Sequence, residues 1–206
     1  MNLSKCRRCK KDIKVESRHA TNKRFCSTDC YETWWNEYRS KGVTGAEFSA
    51  KLWGPVPKVV LEETQKAWLA ALIDGEGWIG IVKEKRAGNV SGVCYHANVE
   101  IGNTKRDLLD AVTRCVGEAF VYLKDHRIGQ VNHKKMYSVR IKKRAIPSLL
   151  EQIKPYLVIK RRQAEIVLEL CRVKAETPMR ASQNHDIQES LRNQCRALNR
   201  RGTTGD

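Results

Sequence analysis

Residues 67–81 of the 206-residue chain read AWLAALIDGEGWIGI, and this stretch contains the change from helix to strand that organises the rest of the sequence. Ala67, Ala70, Ala71 and Asp74 recur at a spacing of three or four residues, which places them on one face of a helix. Because alanine has little bulk, such a face lets a second helix backbone approach closely. The stretch therefore predicts a core helix with a small-residue seam.

The end of this helix is unusual in its charge. We expect the helix to end at Gly75 in a left-handed cap and residues 78–82 to continue as a strand. Asp74 and Glu76 then lie where the helix dipole is already negative, and each exposed carboxylate costs ~0.3–1 kcal/mol there. Two acids at this position indicate a metal-cation site. The alternative that the pattern leaves open is an alanine-rich core helix with a polar end.

Residues 69–77, LAALIDGEG, resemble the nine-residue signature of the LAGLIDADG homing endonucleases. The signature is specific because it combines an apolar pattern with two acids and two glycines at fixed spacing. Ala71 stands where glycine is commoner in that family, whereas Gly75 and Glu76 are usual. The resemblance implies an α+β fold in which a four-stranded antiparallel sheet forms a DNA-binding saddle backed by helices.

Composition points to a polyanionic partner. The chain has 39 Lys and Arg against 23 Asp and Glu, a net charge of +16 and a pI near 9.7, which is typical of proteins that bind nucleic acid or an acidic membrane surface. No apolar run approaches the ~20 residues of a membrane span, and the N-terminus, MNLSKCRRCKKDIK, lacks the apolar region of a signal peptide. We therefore expect nucleic acid as the partner, no membrane association, and a cytoplasmic or organellar-matrix location.

Four of the eight cysteines form two closely spaced pairs near the N-terminus. Cys6 and Cys9 form a C-x2-C pair, and Cys26 and Cys30 form a C-x3-C pair after 16 residues. This arrangement predicts a structural Zn²⁺ site with four thiolate ligands rather than a disulfide framework. A helix starting at Ser27 would put the last ligand in its first turn, as in a treble-clef finger.

The same features divide the chain. We expect a zinc finger at 1–42, a short helix and linker at 43–57, the endonuclease core at 58–175, and a C-terminal helix with a polar tail at 176–206. The linker contains the sequence GPVP at 54–57, and Thr44 with Glu47 forms a capping box. Asp186 is predicted to cap the last helix.

The predicted sheet has one apolar and one polar face. Strands are expected at 78–86, 95–102, 120–124 and 136–142; in 95–102 the polar side chains alternate with apolar ones. Polar and basic side chains of this kind hydrogen-bond base edges in a major groove, whereas a solvated sheet face is the alternative. The candidate DNA contacts are Arg86, His96, Asn98, Glu100, Lys105, Arg106, Lys124, Arg127, Arg140 and Lys142.

The catalytic assignments rest on the resemblance. Single-signature members pair as homodimers, which implies a double-strand break made at a two-fold axis with a Glu76 from each subunit beside it. Mg²⁺ is expected to bind Glu76 and the carbonyl of Gly75, with Asn103 and Lys160 holding the water network and the scissile phosphate. For Lys160 the alternative is a plain phosphate contact. The expected dimer interface comprises Ala67, Ala70, Ala71 and Asp74, with Asp74 capping the partner's helix.

Three other functions are compatible with the sequence to different extents. An RNA-splicing maturase shares the fold and can retain the acids. A transcription regulator would use the same sheet without needing Glu76. A zinc-finger adaptor that binds protein is disfavoured by the net charge of +16.

Overall fold

The computed structural model describes residues 2–15, 25–44, 46–47, 50–51, 54–56, 58–85, 92–124, 135–176 and 184–200. Its N-terminal part is an antiparallel hairpin of β1 (Asn2–Lys5) and β2 (Asp12–Val15), followed by α1 (Thr28–Ser40). The Ser27 hydroxyl accepts the backbone N–H of Cys30 at 3.2 Å, so Ser27 caps α1 and Cys30 lies in its first turn, as predicted. The buried Trp34 packs on Phe25, with 5.2 Å between ring centroids.

The larger part of the chain is a sheet covered by helices. Its elements are α2 (Glu63–Glu76), β3 (Gly77–Lys85), β4 (Val93–Asn103), α3 (Arg106–Val116), β5 (Ala119–Lys124), β6 (Met136–Ile141), α4 (Ile146–Ile153), a 3-10 turn (Lys154–Tyr156), α5 (Arg161–Glu176) and α6 (His185–Leu198). The four strands pair antiparallel in the order β3-β4-β6-β5. This is the α+β architecture that the sequence predicts. No helix in the described part of the chain combines the length and apolarity that crossing a membrane requires.

Alternation along β4 creates the two faces of the sheet. Tyr95, Val99 and Ile101 are buried against the helices, whereas His96 and Glu100 point to the opposite face. β6 continues the pattern, and the resulting apolar face forms one cluster with the helices. The predicted polar face therefore exists, and Asn98 and Ser138 are buried on it.

The end of α2 differs from the prediction. The helix runs through Gly75 to Glu76, and Gly77 follows in an extended conformation with φ −90°, so the predicted left-handed cap at Gly75 is wrong. Gly77 is required by close packing, because a Cβ there would lie 2.7 Å from the backbone of Ile73. The strand consequently begins directly on the last turn of the helix.

The small-residue seam is rotated relative to the prediction. Ala70 is fully buried in the core of its own chain beside Ile73, so it is not available to a partner. Ala67, Ala71 and Gly75 are exposed and lie four residues apart. The apolar side chains of α2 pack on the sheet, so the side of the helix that carries Ala70 faces the core. The accessible small-residue face of α2 is therefore the row of Ala67, Ala71 and Gly75.

The C-terminal helix α6 is part of the core. Leu191 and Cys195 join the same apolar cluster, and the Asn199 amide donates to the carbonyl of Ile79 at 2.9 Å. The helix begins at His185 after Asn184, so Asp186 lies within the first turn and is not the cap that was predicted. The packing of α6 covers one edge of the sheet at β3.

Candidate active site and nucleic-acid interface

The two acids at the end of α2 have different surroundings. The Asp74 carboxylate accepts the backbone N–H groups of Val158, Ile159 and Lys160 at 2.7, 3.2 and 2.9 Å. These donors precede α5 of the same chain, so Asp74 caps a helix in cis, and the prediction that it caps the partner's helix is corrected. A carboxylate at a helix N-terminus is stabilised by both the N–H groups and the helix dipole.

Glu76 has no such partners. Its side chain is exposed, and within the described ranges no hydrogen bond or ion pair engages its carboxylate. It borders a cleft of about 660 Å³ together with Gly75 and Lys160. The last residue of α2 thus presents a free carboxylate to a cavity that also contains a lysine.

Lys160 contacts Asp74 and borders the cleft together with Glu76. Its ammonium group donates a hydrogen bond to the main-chain carbonyl of Asp74, where it complements the negative end of α2. Burial lowers the pKa of Lys160, although the charge of Asp74 opposes that shift. Of the two lysines that line the cleft, Lys124 and Lys160, the second is held by the same helix end that carries Glu76.

Asn103 is not among the residues that line this cleft. Its side-chain oxygen accepts the backbone N–H of Lys105 at 2.8 Å, just before α3. Its neighbour Gly102 does reach the cleft. Of the predicted catalytic and metal-binding residues, Glu76, Gly75 and Lys160 thus line the cleft, and Asp74 contacts Lys160.

The polar face of the sheet carries a connected charge cluster. Glu100 pairs with Arg140 at 2.8 Å and with Lys124 at 3.5 Å, and the Arg140 guanidinium also donates to the Tyr122 hydroxyl at 3.0 Å. Burial alone would raise the pKa of Glu100, but the hydrogen bond from Arg140 holds it below its usual range. Arg140 is therefore oriented by an anion on the sheet while its side chain remains 42% exposed. Its Nε and Nη2 groups both donate to the Glu100 carboxylate, at 3.3 and 2.8 Å.

The remaining predicted DNA contacts are distributed around this cluster. Asn98 is 8% exposed and lines the cleft, and Lys105 is exposed at the start of α3. Three others are near acids: His96 with Glu84 at 3.1 Å, Arg106 with Asp110 at 3.5 Å, and Lys142 with Glu118 at 3.1 Å. Arg86 and Arg127 lie outside the described residues.

One aromatic residue of the cleft was missed by the sequence analysis. Trp78 is 36% exposed, and its ring lies across Gly80, where a Cβ would collide with the indole. Trp78 is paired with Glu100 in the β3–β4 register, so it lies on the polar face. The sequence could have indicated this position, because Trp78 and Gly80 are two residues apart in one strand. That spacing places the indole ring and a glycine without a side chain on the same face of the sheet.

The four predicted zinc ligands converge. The sulfur atoms of Cys6, Cys9, Cys26 and Cys30 all lie within 4.8 Å of one another, with 3.4 Å for Cys9–Cys26 and for Cys26–Cys30. Tetrahedral Zn²⁺ with Zn–S bonds near 2.3 Å requires sulfur separations of roughly 3.8 Å, so the donor set fits a metal ion.

The close contacts among the thiols shift the pKa values of Cys6 and Cys26 in opposite directions. Burial alone would raise the pKa of Cys6, but hydrogen bonds from the backbone of Cys9, Cys26 and Arg8 lower it to about 6. Hydrogen bonding with Cys30 and Cys9 raises the pKa of Cys26 to about 12. Four thiolates cannot coexist at these distances without a cation between them.

Comparison with known proteins identifies the fold. No protein-family model matches the sequence, and a search of curated proteins found no match. The structure is similar to the archaeal intron-encoded homing endonuclease I-Vdi141I complexed with DNA, with a TM-score of 0.58, 15% identity, and coverage of 70% of this chain and 90% of that one.

Two further solved structures are similar. The homing endonuclease I-CvuI in complex with its target gives a TM-score of 0.56 at 20% identity and covers 69% of this chain and 84% of that one. The LAGLIDADG meganuclease I-AabMI bound to uncleaved DNA gives 0.51 at 10% identity, with 73% and 53% covered. The chain therefore contains the LAGLIDADG endonuclease fold, with an added cluster of four cysteines that can hold a metal ion.

Proposed function

We propose that the protein is a site-specific DNA endonuclease of the homing type, which hydrolyses phosphodiester bonds in a long duplex target. The observation that carries this proposal is the free carboxylate of Glu76 in a cleft with Lys160, at the edge of a polar sheet face in a LAGLIDADG fold. A regulator that only binds DNA has no need for an unpartnered acid at a helix end, where it costs stability.

We propose Mg²⁺ as the catalytic cofactor. The Glu76 carboxylate and the Gly75 carbonyl are hard oxygen donors of the kind that Mg²⁺ prefers, and both residues border the cleft. When bound, the ion would supply an activated water and charge stabilisation for phosphodiester hydrolysis. Lys160 would bind the scissile phosphate, and its position depends on Asp74. We propose that Asn103 stabilises the start of α3 and does not take part in catalysis.

We propose that two copies pair through α2. Ala67, Ala71 and Gly75 form an exposed small-residue row that permits close helix approach. Trp68 on the same helix is 37% exposed, and Val158 and Ile159 next to the Asp74 cap are 83% and 69% exposed. Apolar side chains around a small-residue face fit burial against a second copy.

The polar face would then read the duplex. Arg140 and Lys124, oriented by Glu100, would contact base edges in the major groove, while Lys105 and Arg106 at the start of α3 would contact phosphates. Trp78 would lie against the sugar–phosphate backbone next to the cleft. Binding would weaken steeply with salt because of the phosphate contacts.

We propose that the four-cysteine cluster binds Zn²⁺ and holds the N-terminal unit together. Native mass spectrometry should find one zinc per chain. Cys6→Ser combined with Cys9→Ser should abolish zinc binding and unfold the N-terminal unit while the core remains folded, because the two units have separate centres of packing. Retention of zinc by this variant would refute the assignment of its ligands.

The proposed activity is tested with a plasmid library that carries randomised sites. Incubation with Mg²⁺ should linearise a small set of plasmids, and their cut ends should define one long sequence. Binding of a defined site without cleavage would favour the regulator, and tighter binding to a structured intron RNA than to any duplex would favour the maturase.

A further inference from the structure

The end of the predicted linker and the first residues of the core are attached to helix α4 and to the turn before it. The Arg144 guanidinium donates to the carbonyls of Gly54 and Pro55 at 2.6 and 2.8 Å. The Ser148 hydroxyl accepts the N–H of Val59 at 3.0 Å. Backbone polar groups of the segment are thus satisfied by side chains at and just before one helix rather than by water.

Gln152 completes this attachment. Its side chain accepts the N–H of Leu61 at 3.1 Å and donates to the carbonyl of Val59 at 2.6 Å. Ser148 and Gln152 are four residues apart on one side of α4, and Arg144 lies in the turn just before the helix. Val59 and Leu61 are 4% and 5% exposed, which adds apolar burial to the hydrogen bonds. We call these three side chains the clamp.

The clamp begins at the end of the sheet that lies away from the cleft. β3 starts next to Glu76 and runs outward to Lys85, and Lys143, which precedes Arg144, is 3.7 Å from Glu84. The strand from Gly77 to Glu84 spans about 23 Å at about 3.3 Å per residue. That length equals about seven base pairs of B-DNA at about 3.4 Å per step.

The four-cysteine unit carries a basic turn between β1 and β2. Residues 5–11 read KCRRCKK, with five basic residues and no acid, and Lys5, Arg8, Lys10 and Lys11 are exposed. The Arg7 guanidinium donates to the carbonyl of Lys51, close to the start of the clamped segment. The turn between β1 and β2 is therefore attached to the chain just before the clamp.

We propose that the basic β1–β2 turn binds backbone phosphates of duplex DNA outside the footprint of the sheet, beyond about seven base pairs from the cleavage centre, and that the clamp fixes it there. The inference rests on the proposed endonuclease function. Concentrated positive charge at a fixed position gives phosphate contacts that add affinity without reading sequence. In a homodimer, one such contact would flank each end of the target.

The first test measures dissociation constants of the full chain, in Ca²⁺ in place of Mg²⁺, on target duplexes shortened from both ends. Lys10→Gln with Lys11→Gln should weaken binding to a long duplex roughly tenfold and should lower the salt slope by about 0.9 for each phosphate that the variant no longer binds. On a duplex trimmed to about seven base pairs on each side of the cleavage centre, the variant and the wild type should bind with equal dissociation constants.

A matched control removes two charges elsewhere. Arg162→Gln with Arg172→Gln neutralises two exposed residues of α5 that pair with acids on their own helix. This control should bind long and short duplexes like the wild type. Equal binding of the β1–β2 variant and the wild type at every duplex length would overturn the proposal.

The second test addresses the clamp by hydroxyl-radical footprinting. Gln152→Ala removes the hydrogen bonds to Val59 and Leu61 and should abolish protection of the outermost phosphates, while the central footprint and cleavage persist. Outer protection that persists in this variant would show that the clamp does not position the turn. If neither the wild type nor the Gln152→Ala variant cuts any target, the endonuclease proposal fails. If both proteins cut and the flanking DNA contributes nothing to affinity or protection, only the inference about the β1–β2 turn fails.

Discussion

The junction of α2 and β3 contains two acids, two residues apart, in opposite environments. Asp74 is enclosed by three backbone N–H groups from the start of α5, whereas Glu76 opens onto the cleft. Both lie at the negative end of α2. For Asp74 the positive end of α5 offsets that repulsion, whereas no hydrogen bond or ion pair among the described residues engages the Glu76 carboxylate.

This difference separates an acid with structural partners from one that we propose to be functional. An unfavourable charge without local compensation is expected where binding or catalysis requires it. Asp74 joins two helices of one chain, whereas we propose that the Glu76 carboxylate binds a metal ion. Substitutions at the two positions should therefore have different effects.

The largest effect is expected for Glu76→Gln. The substitution keeps the shape of the side chain but removes its charge, so the single-turnover cleavage rate in Mg²⁺ should fall by at least about 10³-fold, as for other losses of charge-stabilising groups. Binding should change little, because the sheet contacts remain. Glu63→Gln, in the first turn of the same helix, serves as the matched control and should cut normally.

Asp74→Asn should instead destabilise the fold. An amide keeps one acceptor oxygen and turns an N–H₂ group towards backbone donors, so the free energy of unfolding in urea should fall by about 1–3 kcal/mol. Cleavage should fall with it, since Lys160 depends on the same helix end. If the Asp74→Asn variant is as stable as the wild type but inactive, Asp74 takes part in catalysis.

Two alanine substitutions examine the seam next to these acids. Ala71→Leu places bulk on the exposed row and should convert a dimer into monomers without loss of monomer stability. Ala70→Leu places the same bulk in the core and should destabilise the chain by about 1–3 kcal/mol through overpacking. Sedimentation together with urea titration distinguishes the two effects; a dimeric, active Ala71→Leu protein would contradict the proposed interface.

A smaller effect is expected for Glu189, another acid with structural partners. Hydrogen bonds from Lys83 and Tyr95 lower the pKa of Glu189 to about 2. Because this folded-state pKa is depressed, the stabilisation is present above the unfolded value of about 4.3 and is lost as the pH falls towards about 2. Glu189→Gln should lower Tm by a few degrees at neutral pH and have little effect in strong acid. A Tm difference independent of pH would refute this coupling.

The sequence predicts features that depend on short spacing. Alternation in residues 95–102 and the two cysteine pairs each place side chains through a period or a motif, and the structure agrees with both. The signature at 69–77 likewise indicates the correct fold. Local patterns of this kind are set by backbone geometry within a few residues.

Features that depend on distant partners were missed or wrong. The donors to Asp74 are 84–86 residues away, and the clamp side chain Gln152 meets Val59 across 93 residues. No local pattern indicates which chain segment will supply such a partner. The orientation of Ala70 was wrong for a related reason: the side of α2 that faces inward is decided by packing on the sheet rather than by the small-residue spacing.

We propose that Glu76, and not Asp74, provides the cation site in the cleft. Calorimetric titration of Ca²⁺ into the complex of the protein with its selected, uncut duplex measures this directly. Wild-type protein and Asp74→Asn, at a temperature where both are folded, should bind the ion, whereas Glu76→Gln should show no saturable binding in the cleft. Equal Ca²⁺ binding by the Glu76→Gln complex would contradict the account.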